Sequence, residues 1–200
     1  MSFRIEEKLF IKNESLLDFK SFLNKQHAKK LYDSRVVQSL YFENLNFDIF
    51  KDSLEGIVPR KKIRIRNYPL DEKKIYFFET KISSVEGRFK KKRQLNLDEI
   101  KKYKNYGIYD AQYGVCYPKL YVSFLREYYL MDDNLRLTID KDIKFQKYNT
   151  HYTKLDNNII VELKAPMKVD TDLIAKKFSM KKTRFSKYCN GIELLNINIK

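Results

Sequence analysis

Four prolines and five glycines in 200 residues leave the chain with little punctuation. No linker, repeat or low-complexity tract can be read from so few breakers, and one domain over residues 1–200 is the simplest organisation. Cysteine and histidine are as scarce. Cys116 and Cys189 stand far apart, and His27 and His151 are isolated, so no zinc spacing exists. The two cysteines read as reduced thiols of an intracellular protein. A bound metal would have to be held by carboxylates and water, which suits magnesium, manganese or calcium. No segment approaches the roughly 20 apolar residues that span a bilayer. The opening MSFRIEEKLF has no apolar signal core, and the cytoplasm is the expected location. The pattern Gly-x4-Gly-Lys-Ser/Thr is also missing, which argues against a P-loop enzyme.

What the chain does have is positive charge and strands. Lysine and arginine number 41 against 26 acids, a formal net charge of +15. That surplus favours polyanionic partners, whether nucleic acid, an anionic surface or a phosphate-rich small molecule. Apolar residues at 43% and aromatics at 14% fit a packed globular core. Alternation predicts strands over 4–11, 36–42, 61–68, 75–82, 88–95, 120–129, 135–142 and 159–163. Helical spacing predicts helices from Asn13 or Ser15 to about Lys30, and over 44–54, 97–106, 170–180 and 183–195. The expected fold is α+β, a closed antiparallel β-barrel with peripheral helices.

Residues two apart in a strand share a face. By that rule Arg4, Glu6 and Lys8 lie together, as do Lys62, Arg64 and Arg66, then Glu79 and Lys81, Lys91 and Arg93, Arg136, Thr138 and Asp140, and Glu162 and Lys164. The alternate positions are apolar in most of these strands, for example Ile63 and Ile65, Leu137 and Ile139, and Val161 and Leu163. An ordinary half-solvated sheet accounts for any one such strand. Six strands with charged faces, several of them dominated by arginine, and acids set beside bases point instead to a charged lumen, if the sheet closes with that side inward. Desolvated cations need counter-charge, and a bound polyanion supplies it. Arginine's planar fork grips phosphate oxygens in pairs.

The ordered segments RIEEKLFI (4–11), SLYFEN (39–44), RKKIRIRNY (60–68), FFETK (77–81), KKKRQL (90–95), FLREYY (124–129), LRLTID (135–140), VELK (161–164) and RFSKYCNGI (184–192) resemble the VTC domain. This is the polyphosphate polymerase branch of the triphosphate tunnel metalloenzyme superfamily. The match runs from residue 4 to about 195. Arg4 stands where the wider superfamily has its first glutamate, which favours the VTC branch. The resemblance implies a tunnel of antiparallel strands, manganese or magnesium as cofactor, and ATP or another nucleoside triphosphate with polyphosphate or pyrophosphate as partners. It implies phosphate contacts from Lys8, Arg64, Arg66, Lys81, Lys91, Arg93 and Arg126, and from Arg184 and Lys187 on the closing helix. Arg64, Arg66, Lys81, Arg126 and Glu162 would form the catalytic set. Glu162 would lead the metal ligands, with Glu6 and Asp140 as helpers and Glu79 as a weaker candidate. The implied activity is transfer of the γ-phosphate of ATP onto a growing polyphosphate chain.

Three alternatives stay open. Water as acceptor would make the same site a tripolyphosphatase or nucleoside triphosphatase. Loss of chemistry would leave a polyphosphate or inositol-phosphate binding module. Nucleic-acid binding fits the basic charge and the many tyrosines, but the cations alternate along strands rather than clustering in one patch.

Overall fold

The computed structural model describes residues 4–166, 172–178 and 180–197. It has strands β1 (Arg4–Ile11), β2 (Lys29–Glu43), β3 (Arg60–Asn67), β4 (Tyr76–Ser84), β5 (Gly87–Leu95), β6 (Ile108–Asp110), β7 (Gly114–Leu130), β8 (Arg136–Lys147), β9 (Thr153–Asp156), β10 (Ile159–Pro166) and β11 (Lys181–Lys182). The helices are α1 (Asn13–Lys25), α2 (Asp48–Glu55), α3 (Leu97–Tyr106), α4 (Asp172–Lys177) and α5 (Lys187–Leu194). The strands form one mostly antiparallel sheet in the order β11-β1-β10-β8-β7-β2-β3-β4-β5, with β6 added to β7 and β9 to β8.

The fold is therefore α+β, as expected, and its antiparallel sheet is not closed into a barrel by hydrogen bonds among the described residues. Among the described residues the hydrogen-bonded order ends at β11 and β5, and no ladder joins them. The character of these two edges explains why. β11 is two residues long, and the stretch Arg88–Arg93 of β5 is exposed and, but for Phe89, wholly basic. Short, charged edges resist further strand pairing.

The chain groups into two compact units. The first comprises 1–36, 124–143 and 156–185, and the second 37–123, 144–155 and 186–200; β2, β7 and β8 each pass from one into the other. In the first unit the apolar faces of β1, β8 and β10 (Leu9, Leu137, Ile139, Val161, Leu163) bury Phe19 and Leu23 of α1. Helix α1 stops at Lys25, short of the expected Lys30, because His27 takes a left-handed backbone (φ 51°) and β2 already begins at Lys29. Glu127, next to Arg126 in the chain, faces the helix side. It accepts from Lys20 at 2.8 Å and from the Tyr129 hydroxyl at 2.7 Å.

In the second unit α3 carries a capping box: Asn96 accepts from Glu99 N at 2.8 Å, and Glu99 accepts from Asn96 N at 3.0 Å. Helix α5 starts later than expected because Ser186 caps it, accepting from Cys189 N at 3.3 Å. Gly191 brings α5 tightly onto the sheet, for a Cβ there would lie 2.7 Å from side-chain atoms of Leu120 and Phe145. The expected helix over 170–180 is present as α4, and its two ends fall partly outside the described residues. Cys116 and Cys189 are both buried and free. No described helix is long and apolar enough to cross a membrane.

Candidate phosphate and metal sites

The second unit gathers basic side chains on one face of β3, β4 and β5. The pairing sets Lys62, Lys81 and Lys90 side by side in one row, and Arg64, Glu79 and Lys92 in the next. Arg66 follows beside Phe77. Neighbouring β2 places Tyr41 beside Arg64 and Ser39 beside Arg66. Glu79 is 2% exposed and binds three cations. Arg64 donates to its Oε2 through Nε at 2.9 Å and Nη2 at 2.6 Å. Lys90 reaches Oε1 at 2.6 Å, and Arg66 stands 3.8 Å away. Arg64 also donates to the Tyr41 hydroxyl at 2.8 Å, and Arg66 to Ser39 Oγ at 3.1 Å.

The electrostatics follow from that crowding. Burial raises the Glu79 carboxyl, but Arg64, Arg66 and Lys90 overcome it and bring the group down to about 2. Burial likewise raises the Tyr41 phenol, and Arg64, Arg66 and Lys62 draw it down to about 8. Glu79 thus answers Arg64, Arg66 and Lys90 on a face that also carries Lys62, Lys81 and Lys92. Like charges directly across a ladder repel. A bound anion relieves that repulsion.

The expected pair Lys91 and Arg93 is on the other side of β5. Glu79 pairs with Lys92 and Lys81 with Lys90, so Lys90 and Lys92 share the cationic face. Arg93 turns to α3, donating to Glu99 at 2.7 Å and to the Tyr103 hydroxyl at 2.6 Å. The signal that fixes this register is the turn. Ser84 pairs with Gly87 across Val85-Glu86, and counting back from that two-residue turn gives the pairing.

The first unit holds a different cluster. Arg126 makes a two-pronged bond to Asp140, Nε to Oδ1 at 2.5 Å and Nη2 to Oδ2 at 2.6 Å, and Asp140 is fully buried. Glu162 lies 3.8 Å from Arg126 Nη2 and accepts from Lys164 at 2.9 Å. Pairing aligns Lys8, Glu162 and Thr138 across three strands, and Glu6, Lys164 and Arg136 in the adjacent row. Lys8 also donates to the Phe185 carbonyl at 2.8 Å. Burial raises the Glu162 carboxyl, but Arg126, Lys164 and Lys8 hold it ionised, far below the usual carboxylate range. Beside it the Thr138 hydroxyl is buried with no hydrogen-bond partner among the described residues. Of the two positions expected on the closing helix, Lys187 is on α5 and half-buried, whereas Arg184 is exposed in the segment before it.

A divalent ion can be tested against these donors. Among the described residues no three acidic, histidine or cysteine side chains gather into a cage. Small divalent cations in phosphate chemistry are commonly held by one or two carboxylates plus water and substrate phosphates. Glu162, ionised and next to the orphaned Thr138 hydroxyl, fits that pattern, with Glu6 diagonal to it on β1. Asp140 is turned toward Arg126 instead, each of its oxygens accepting one Arg126 N–H.

These ordered charged strands can be set against known proteins. The VTC domain model matches residues 3–196. The chain belongs to the VTC domain family. No curated protein matches it in sequence. Its solved structural neighbours have the triphosphate tunnel metalloenzyme fold. A candidate adenylate cyclase from Bacillus halodurans superposes with a TM-score of 0.63 at 16% identity, covering 96% of this chain and 97% of that one. A Pyrococcus horikoshii protein gives 0.62 at 13% identity, covering 96% and 99%. A candidate adenylyl cyclase from Hippeastrum, described as having a dominant triphosphatase activity, gives 0.57 at 14% identity, covering 96% of both chains. At such identities the likeness between these structures and the VTC domain is one of fold.

Proposed function

We propose that this VTC domain is a metal-dependent polyphosphate polymerase, working as one domain and transferring the γ-phosphate of ATP to a growing polyphosphate chain. The observation that carries the reading is the cationic face of β3, β4 and β5, where three lysines stand abreast and one buried carboxylate answers two arginines and a lysine. A chain of phosphates matches that face in charge. The family match favours a triphosphate tunnel as the setting, with manganese or magnesium as the ion.

Phosphoryl transfer demands positioning and charge stabilisation more than covalent help from the protein. In this reading Arg64, Arg66, Lys81 and Lys90 hold phosphate oxygens in the second unit, with Lys187 assisting. Arg126, kept oriented by Asp140, and Lys8 hold phosphates in the first unit, and Arg184 is retained as an outer contact. Glu162, with Glu6, would hold the ion, which when bound draws charge off the phosphoryl group. The acceptor phosphate oxygen attacks the γ-phosphorus in line, the bond to the β,γ-bridging oxygen breaks, and the nucleoside diphosphate leaves with that electron pair. The arginines oppose the charge that builds on the non-bridging oxygens.

Water as acceptor would make the protein a triphosphatase, an activity described for the Hippeastrum neighbour. Incubation with ATP and manganese, with products resolved on a gel, tests the choice. Polyphosphate ladders that vanish in Glu162→Gln and Arg66→Ala are expected. Free phosphate without ladders would sink the polymerase reading and favour hydrolysis. Retained tripolyphosphate binding without turnover would favour a sensor.

A further inference from the structure

Two segments of the sequence, SLYFEN and RFSKYCNGI, are not accounted for by phosphate binding alone, and the second unit brings them together. Glu43, the acid of the first, is fully buried. Its Oε1 accepts from Asn44 N at 2.9 Å and Ile49 N at 3.1 Å, and its Oε2 accepts from Phe50 N at 2.8 Å. The last two donors are in the first turn of α2, so the carboxylate sits where a helix N-terminus presents bare N–H groups. Its fourth donor is the hydroxyl of Tyr188 on α5, itself 1% exposed. The Tyr188 ring packs on Tyr41 with centroids 5.2 Å apart, and Lys62 Nζ stands 5.8 Å above the same ring. Lys62 also donates to Ser186 Oγ at 2.7 Å, the group that caps α5. Tyr41 in turn receives the Arg64 N–H at 2.8 Å.

We propose that Glu43 and Tyr188 form a buried clasp that positions the phosphate-gripping side chains Arg64 and Lys187, together with Lys62 of the same cationic face. This deepens the functional reading above and rests on it. Without the clasp, α5 loses its polar anchor to β2 and α2, and Tyr41 loses the ring that fixes it beside Arg64. Glu43 and Tyr188 touch no phosphate in this scheme and act only through their neighbours.

The clasp also carries a pH signature. Burial pushes Glu43 up to about 7 against the hydrogen bonds from Tyr188, Asn44, Ile49 and Phe50, which lower it. The other titratable groups around this pair are Cys189 on α5 and Cys116 on β7, with Asp110 and Lys61 acting on Cys116. A carboxyl that takes a proton here faces three fixed backbone donors and loses acceptor capacity. The grip on phosphate should therefore weaken as pH falls through about 7.

The test is calorimetric binding of tripolyphosphate, without metal, to wild type, Tyr188→Phe and Glu43→Gln between pH 6 and 8. Ligand ionisation is common to all three proteins, so differences between them isolate the clasp. Tyr188→Phe keeps the ring stack and removes only the hydroxyl, which guards against simple misfolding. Its affinity should fall by about tenfold at pH 8, the equivalent of one hydrogen bond to a charged group. The difference from wild type should shrink toward pH 6. A Tyr188→Phe protein that melts earlier but binds tripolyphosphate with wild-type affinity and pH dependence overturns the clasp alone. Wild-type protein that does not bind tripolyphosphate overturns the functional reading and the clasp with it.

Discussion

The two charged clusters solve opposite problems. In the first unit Arg126 is locked into Asp140 by two short bonds, with Glu162 close by, so acids and bases are nearly matched. In the second unit a single acid, Glu79, is shared among Arg64, Arg66 and Lys90, and further lysines crowd the same face. The first arrangement neutralises its buried arginine internally. The second is in deficit, and its deficit is what a polyanion would fill. Breaking a matched pair should chiefly cost stability; trimming the surplus should chiefly cost binding.

The largest effect is therefore expected at Asp140→Ala. It strands the buried Arg126 guanidinium, and removal of one partner of a buried pair costs about 3–5 kcal/mol. Urea unfolding measures it, and a loss well under 1 kcal/mol would contradict the locked-pair account. Glu162→Gln comes next and separates metal from phosphate. Metal-dependent turnover should fall by about 100-fold, the scale of losing a Lewis-acid ligand. Tripolyphosphate binding in a chelator should hold or tighten, since a negative charge has left the side of Arg126, Lys164 and Lys8. Weaker binding in chelator would make Glu162 an organiser of the cations rather than a metal ligand.

Glu79 allows the comparison to be read through pH. Its carboxyl lies at about 2 in the folded protein, below the ordinary value of 4.5. A depressed carboxylate adds stability that is fully present above its unfolded value and is lost as pH falls through the folded one. The shift corresponds to about 3 kcal/mol. Wild type should lose stability between about pH 4.5 and 2 more steeply than Glu79→Gln, while that variant should be the less stable of the two at pH 7. Parallel acid profiles would remove Glu79 from the account. Lys81→Met tests the surplus from the other side. It should weaken tripolyphosphate binding by about tenfold, because the middle lysine of the row Lys62, Lys81 and Lys90 has gone.

The contrast between clusters also marks how far the sequence could be read. Spacing alone showed that Arg64 and Arg66, or Glu162 and Lys164, share a face, because a strand's period of two is fixed by covalent geometry. The order of the motifs showed the family. What spacing could not show is which acid answers which base. Asp140 read as a metal helper, yet its partner Arg126 comes from a neighbouring strand, and that pairing has no local trace. Glu43 was missed for the same reason, since its tyrosine is 145 residues away. Helix ends shifted where a backbone detail decided them: the left-handed His27 after α1, and the Ser186 cap before α5. Closure of the sheet depends on edges, and among the described residues no ladder joins the short edge strand to the basic one.

The smallest expected effect sharpens the comparison most, because it concerns neighbours in sequence. Lys90 and Arg93 belong to one basic run, KKKR, and composition cannot tell them apart. The ladder can: Lys90 meets Glu79 on the cationic face, whereas Arg93 meets Glu99 and Tyr103 of α3 on the opposite one. Arg93 is 46% exposed on its side chain and its ion pair is screened by solvent. Arg93→Ala should therefore change tripolyphosphate affinity by less than about twofold, the range of a surface charge far from the ligand. Lys90→Ala should cost several times more, in binding and in the ionisation of Glu79 alike. If the order were reversed, the register drawn from the Val85-Glu86 turn would be wrong by one residue, and every assignment on β5 would flip with it.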